Sequence, residues 1–381
     1  MAWQPEAMSD TADEVTQTVE ALRRHGITPN EDEIPMLSAL RTAALANVAL
    51  VEGHSAPLQQ PWPIGHPGRG DRGPERLAHS TIPASEHGLS RGQISALLDQ
   101  MRRGALSSRE LVDGLLARAD ELDARLGVYV ARFDDTARAA ATEADRRRAQ
   151  GDDRPLLGIP IAVKDLIATA EGPTTAQSRV HAFASGFDAT CVRRLRDAGA
   201  VIIGKTTLNE HAMGRVDFDS PFPVPRHPHD LDRWPGGSSS GSASGVAAAL
   251  FPAALGTDTG GSIRIPASLC GIAGFKPTYG AIDTAGVAPL SWTTDTIGPM
   301  AMSPVDCALL FQVLVDDLGR FEPAPERYWH ADLTGARVAI DSSWRSVAGV
   351  HDDLPRIVDQ AAELMADLGA RVEEIDLAPF G

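Results

Sequence analysis

The stretch from Gly236 to Pro266 constrains this chain more than any other. It reads Gly-Gly-Ser-Ser-Ser-Gly-Ser-Ala-Ser-Gly, then a small apolar run, then Gly256-Thr-Asp-Thr-Gly-Gly-Ser-Ile-Arg-Ile-Pro266. Core filling does not explain such a composition. Glycine lets a backbone turn through positive φ and approach a ligand closely, and serine hydroxyls donate, accept or attack. The mostly alanine run between the two clusters predicts that Val246 to Leu250 form part of a short, tightly packed helix carrying the first cluster back toward the second.

Charge and cysteine content narrow the function classes. The 381 residues hold 51 acidic against 35 basic side chains, a net charge of −16, which disfavours a sequence-independent nucleic-acid binder or an anionic-membrane binder. Cys191, Cys270 and Cys307 are odd in number and widely spaced, giving neither a disulfide framework nor a zinc pattern. The first 35 residues contain no signal-peptide apolar region, and no apolar run of 18 residues follows. A cytoplasmic protein in a reducing compartment is expected.

Taken in order, the chain begins with helical spacing of Val15, Val19 and Leu22, then Leu37, Leu40, Ala44 and Val48, with a turn near Gly26 to Asn30. This predicts a helical hairpin within residues 1–54, followed by a linker rich in Pro, Gly, His and Arg over 55–88 and a larger domain from 89 to 381. Helices are expected over Ser90–Gly104, Ser107–Leu126 (opened by the capping box Ser107-Ser-Arg-Glu110) and Asp134–Gly151. Strand and helix then alternate: strands at Ile159–Val163, Val201–Ile203, Arg337–Ile340 and Arg371–Leu377; helices at Thr190–Ala198, Val305–Val315 and Pro355–Leu368, with a helix start at Leu208–Met213. That alternation predicts an α/β architecture.

Three candidates stand out for chemistry: Lys164 at the end of Gly158-Ile-Pro-Ile-Ala-Val-Lys-Asp165, and the serines of each of the two clusters. Alone, a lysine at a strand's end reads as snorkelling surface. In the second cluster, Thr259-Gly-Gly-Ser262 precedes an expected helix start, so successive amides can form a concavity for an anion or an oxyanion. Other motifs fail. Gly237-Ser-Ser-Ser-Gly241 fits a nucleophile elbow with Ser239 at its centre, but Asp232-Arg-Trp-Pro235 supplies no preceding strand. Neither cluster has the Gly-Lys-Ser/Thr of a phosphate loop, and His227-Pro-His229-Asp230 lacks a second group of metal ligands.

From about Leu89 onward the chain resembles the amidase signature family of serine hydrolases. The resemblance rests on Gly236-Gly-Ser-Ser-Ser-Gly-Ser through Gly256-Thr-Asp-Thr-Gly-Gly-Ser-Ile-Arg-Ile-Pro-Ala267, with Gly158–Asp165, Gly204-Lys-Thr206 and Gly274-Phe-Lys-Pro-Thr-Tyr-Gly280 in support. It implies a mixed central sheet flanked by helices. It also implies a triad of Ser262 as nucleophile, Ser238 as a bridging serine preceded by a cis peptide, and Lys164 as base. The backbone of Thr259, Gly260, Gly261 and Ser262 would form the oxyanion hole, and Met213, Phe218 and Trp292 would line an apolar pocket, the core being the alternative place for each.

Such a base must be neutral. At the ordinary lysine pKa, deprotonation at pH 7 costs about 4.6 kcal/mol, much of which desolvation can remove. Strand alternation turns Asp165 to the face opposite Lys164, and Asp258 with Arg264 is expected to hold the nucleophile loop. The implied reaction is acyl transfer to water on a small carboxamide, anilide, ester or carbamate, with no cofactor, no metal, no nucleic acid and no membrane. A second copy of the chain is the one protein partner allowed for. The alternatives are the glutaminase-type component of a tRNA-dependent amidotransferase, its A subunit, and a catalytically silent scaffold of the same fold. An allophanate hydrolase fits less well, because Gly260-Gly-Ser-Ile-Arg264 departs from that branch. Family members of ordinary length continue past Leu377, so a segment completing the fold and one pocket wall is expected to be missing. The N-terminal hairpin resembles a small helical accessory chain, and Arg215 is expected to narrow the pocket or to offer a cation to an acidic substrate.

Overall fold

The computed structural model describes residues 93–179, 186–214, 220–315, 333–346 and 353–375, with three further helical positions at 16, 19 and 20. The chain divides into units of residues 1–81 and 82–381, and the fold below belongs to the second. Apart from those three positions, the expected N-terminal hairpin and linker lie outside the described residues, as do Arg215 and Phe218.

Helix α1 (Gln93–Arg102) and α2 (Ser108–Leu126) lead into β1 (Tyr129–Arg132) and α3 (Asp134–Ala149). The Ser107–Glu110 capping box opens α2 as its sequence implies, and Gly127 closes it in the left-handed region. Then come β2 (Pro160–Lys164), α4 (Thr190–Asp197), β3 (Val201–Thr206), α5 (Ser240–Ala247), β4 (Ala253–Asp258), α6 (Arg264–Cys270), β5 (Ala273–Gly274), β6 (Thr296–Ala301) and α7 (Pro304–Leu314). A separate parallel pair, β7 (Arg337–Asp341) and β8 (Arg371–Ile375), brackets α8 (Asp353–Asp367).

The main sheet runs β1-β3-β2-β4-β6-β5. Its centre, β3-β2-β4, is parallel and its flanks are antiparallel, so this is a mixed α/β sheet. Alternation along β2 sends Ile161 and Val163 into one apolar layer with Ile94, Leu195 and Leu310, and Ala162 into another with Val112, Leu116, Val246 and Phe251. The two layers cover the sheet with α1, α4 and α7 on one face and α2, α3 and α5 on the other. By the same alternation Lys164 points to the α5 face.

Two expectations need correction. The helix between the clusters starts inside the first cluster, at Ser240, and stops at Ala247 rather than running to Leu250. Small residues let it pack closely on its neighbours, since a Cβ on Gly245 would lie 2.1 Å from the Phe251 ring and one on Gly241 2.6 Å from the Thr207 amide nitrogen. The helix expected to start at Leu208–Met213 shrinks to one 3-10 turn, Glu210–Ala212, because His211 and Ala212 take positive φ and break the α repeat.

Gly245→Ala is therefore expected to overpack α5 against Phe251 and to lower the unfolding free energy by about 1–3 kcal/mol. A urea midpoint that falls at unchanged slope would register it.

Candidate active site

The carboxyl ends of β2, β3 and β4 deliver Lys164, Lys205 and Asp258 to one edge of the sheet, where ligands bind in open parallel sheets. Lys164 is wholly buried, not snorkelling. Its Nζ donates to Ser238 Oγ at 2.7 Å and to Thr257 Oγ1 at 2.8 Å, with the Thr257 carbonyl at 3.5 Å. Burial pushes its pKa down from the ordinary lysine value to about 7, against the opposing pull of Asp258 and Asp295. Hydroxyl and carbonyl partners suit both protonation states, because a hydroxyl can donate to the amine or accept from the ammonium.

Ser238 follows a cis Gly237–Ser238 peptide just ahead of α5. The next amide, Ser239 N–H, donates to the Ser262 carbonyl at 3.1 Å, seating the second cluster against the first. Lys164 and Ser238 are thus linked, and Ser262 is tied through its carbonyl to Ser239, its hydroxyl without a hydrogen-bond partner among the described residues. Ser239 is committed elsewhere: its hydroxyl donates to the Thr257 carbonyl at 3.2 Å and accepts the Thr257 amide at 3.3 Å. The serine at the centre of the elbow-like motif thus ties α5 to β4.

Asp258 holds the loop that follows. Its buried carboxylate accepts the Gly261 amide at 2.8 Å, the Ile263 amide at 3.1 Å and both Nε and Nη2 of Arg264 at 3.0 and 2.9 Å. Burial alone would raise this carboxyl, but the Arg264 guanidinium and the two amides outweigh it and hold it below the ordinary value. Asp258 and Arg264 therefore pair as expected. Gly261, at φ +127°, makes the turn, and its amide is directed at Asp258. Of the four amides implied as oxyanion donors, those of Thr259, Gly260 and Ser262 are the ones left without a partner among the described residues.

Asp165 lies on the opposite face from Lys164, as alternation requires. It pairs at 2.9 Å with Lys205, both side chains being fully buried, and Lys205 also donates to Thr174 Oγ1 at 2.8 Å. Burial lowers the Lys205 pKa while Asp165 raises it. The two buried lysines thus differ in kind: one faces a carboxylate, the other hydroxyls.

A cleft of about 430 Å³, part of it open to solvent, reaches the site through Thr257, the hydroxyl on Lys164; Leu166, Val287, Leu290 and Trp292 supply apolar walls, and Thr259 and Asp295 polar ones. Trp292 is 85% exposed on its rim, and Met213, 64% exposed, is not among its lining residues. Neither belongs to the core. His227 spends its ring Nε2 on the Leu269 carbonyl at 2.9 Å, which fits a turn rather than a metal site. Thr257, Lys205 and Asp295 are not legible in the sequence because the hydrogen bonds that tie each to the site, with Lys164, Thr174 and Thr259, span 31 or more residues.

This combination of fold and residues has relatives. A family model described as Amidase matches residues 110–380, and the chain belongs to this family, the amidase signature proteins. The A subunit of glutamyl-tRNA(Gln) amidotransferase from Roseiflexus sp. (strain RS-1) is 42% identical over 292 residues, covering 74% of this chain and 60% of that protein. The native peptide amidase of Stenotrophomonas maltophilia superposes with a TM-score of 0.65 at 36% identity, over 74% of this chain and 61% of its own. The corresponding amidotransferase component from Thermotoga maritima gives a TM-score of 0.61 at 30% identity, over 74% and 61%. The chain spans about 60% of the length of the curated relatives it matches. Among the described residues no helix is long and apolar enough to cross a membrane.

The depressed Lys164 pKa has a stability consequence. In the unfolded chain this lysine regains its ordinary pKa of 10.5, so between about 7 and 10.5 the folded state binds fewer protons and its stability rises with pH. Below about 7 both states are protonated and the whole cost of burying the ammonium applies. The stability advantage of Lys164→Met over the native chain should accordingly be largest near pH 6 and shrink toward pH 10, as measured by urea denaturation of both proteins across that range.

Proposed function

We propose that this chain cleaves an amide C–N bond by acyl transfer, with Ser262 as nucleophile, Ser238 as proton bridge and Lys164 as base. The observation that carries this reading is the buried Lys164, its pKa lowered to about 7, hydrogen-bonded at 2.7 Å to Ser238 just ahead of α5, where the Ser239 amide donates to the Ser262 carbonyl. Neutral Lys164 takes a proton from Ser238 as Ser238 takes one from Ser262, and the Ser262 Oγ–carbon bond forms. The free amides of Thr259, Gly260 and Ser262 then face the developing oxyanion. The proton returns through Ser238 to the leaving nitrogen, the C–N bond breaks, and water releases the acid by the same route in reverse.

Two substrate readings follow from different relatives. The curated relatives favour the glutaminase-type component of a tRNA-dependent amidotransferase, in which the nitrogen released from an amide donor passes to a partner. The peptide amidase structure favours a free-standing hydrolase, and the apolar walls around Trp292 suit an uncharged acyl or leaving group. The first reading has the wider support, and glutamine is the donor to try first.

Treatment with a fluorophosphonate should add one adduct by intact mass, lost in Ser262→Ala and slowed at least about a hundredfold in Lys164→Ala, where no base remains. The native labelling rate should rise with pH and level off above about 7, as Lys164 loses its proton. Ammonia release from glutamine against aniline release from an anilide then separates the two substrate readings. An unlabelled but folded native chain would refute the mechanism.

A further inference from the structure

Asp295 has no place in the mechanism above, yet it stands where the cleft meets the nucleophile loop. One carboxylate oxygen accepts the Thr259 hydroxyl, and the other accepts the Leu290 and Ser291 amides at 2.8 and 2.9 Å. Thr259 is the first residue of the loop that carries Ser262, and it lines the cleft together with Thr257, the second hydroxyl on Lys164. Asp295 sits immediately before β6, whose register places Thr296 opposite Asp258. One carboxylate thereby fastens both the cleft wall and the start of the oxyanion loop to the same sheet edge.

We propose that Asp295 is a positioning residue, which fixes the Thr259 end of the nucleophile loop and holds a negative charge facing the Lys164 ammonium. This rests on the acyl-transfer reading. The two ends of the loop are then held by two carboxylates: Asp258 grips Gly261 and Ile263 from below, and Asp295 grips Thr259 from the cleft side. The amides between them keep a fixed direction, as a preorganised oxyanion site requires. Among the described residues, the charged groups that act on Lys164 are Asp258, which Arg264 pairs, and Asp295, whose hydrogen bonds there are to a hydroxyl and two amides; Asp165 is turned away toward Lys205. Asp295 therefore favours the ammonium, and its loss should leave Lys164 neutral to lower pH.

The two halves of the proposal separate in the rate of fluorophosphonate labelling of Ser262 as a function of pH. Thr259→Val removes the hydroxyl but keeps the charge, and should lower the high-pH plateau at least about tenfold without moving the acid limb, since a displaced reacting group costs rate. Thr259→Ser should restore the plateau. Asp295→Asn removes the charge and should move the acid limb to lower pH, as well as lowering the plateau. A Thr259→Val plateau equal to the native one, or an Asp295→Asn limb at the native pH in a chain with native melting behaviour, would overturn the proposal. Failure of the native chain to label at all would instead overturn the acyl-transfer reading.

Discussion

Burying an ammonium with only hydroxyls and a carbonyl around it is the condition on which the rest of this structure depends. Lys164 has no carboxylate in hydrogen-bond contact, and Asp258 and Asp295 offset its desolvation only in part, so its neutral form depends on close packing that keeps it buried. Serine and glycine in α5 permit that packing, and the parallel β2–β4 pairing, with Val163 beside Leu255, carries Thr257 to the lysine. A carboxylate in direct contact would hold Lys164 charged and useless as a base. The nearby acids are accordingly occupied: Asp165 by Lys205, Asp258 by Arg264 and backbone amides, and Asp295 by Thr259 and the amides of residues 290 and 291.

Much of the site was readable because its chemistry lies in local sequence. The Gly/Ser clusters, the strand ending in Lys164 and the Ser107 capping box each announce themselves within ten residues or so; the strand and the capping box form where the sequence implies them, while the first cluster itself supplies the start of α5. The α/β alternation was readable for the same reason. Residues whose meaning depends on a distant partner were not. Asp295 and Lys205 look like ordinary charged positions until the sheet brings Thr259 and Asp165 to them. The short strands β1 and β4 are not legible, since Tyr-Val-Ala-Arg and Ala-Ala-Leu-Gly-Thr-Asp carry weak period-2 signals and owe their extension to neighbours in the sheet. The Leu208–Met213 error has the opposite origin: local apolar spacing suggested a helix, but tertiary hydrogen bonds, among them His211 N–H to the Ala176 carbonyl, hold a left-handed turn there.

The two buried lysines show why residue type alone does not assign a role. Both lie at the carboxyl ends of parallel strands, both are fully buried, and burial depresses the pKa of both. Lys205 meets a carboxylate at 2.9 Å, and removing either partner would strand a charge in the interior, so the pair is bound to its present state. Lys164 meets groups that tolerate its neutral form, and so it can exchange a proton without stranding anything. Strand alternation produces the difference: Asp165 is adjacent to Lys164 in sequence yet serves the neighbouring strand's lysine, because consecutive side chains leave a strand on opposite faces. A single-residue slip in β2 would turn Lys164 toward Lys205 and Asp165 toward Ser238 and Thr257, taking the base out of the site and the carboxylate away from its lysine. The parallel register of β2 with β3 and β4 is thus part of the chemistry, and the apolar pair Ile161 and Val163, buried on the opposite face from Lys164, is what pins it.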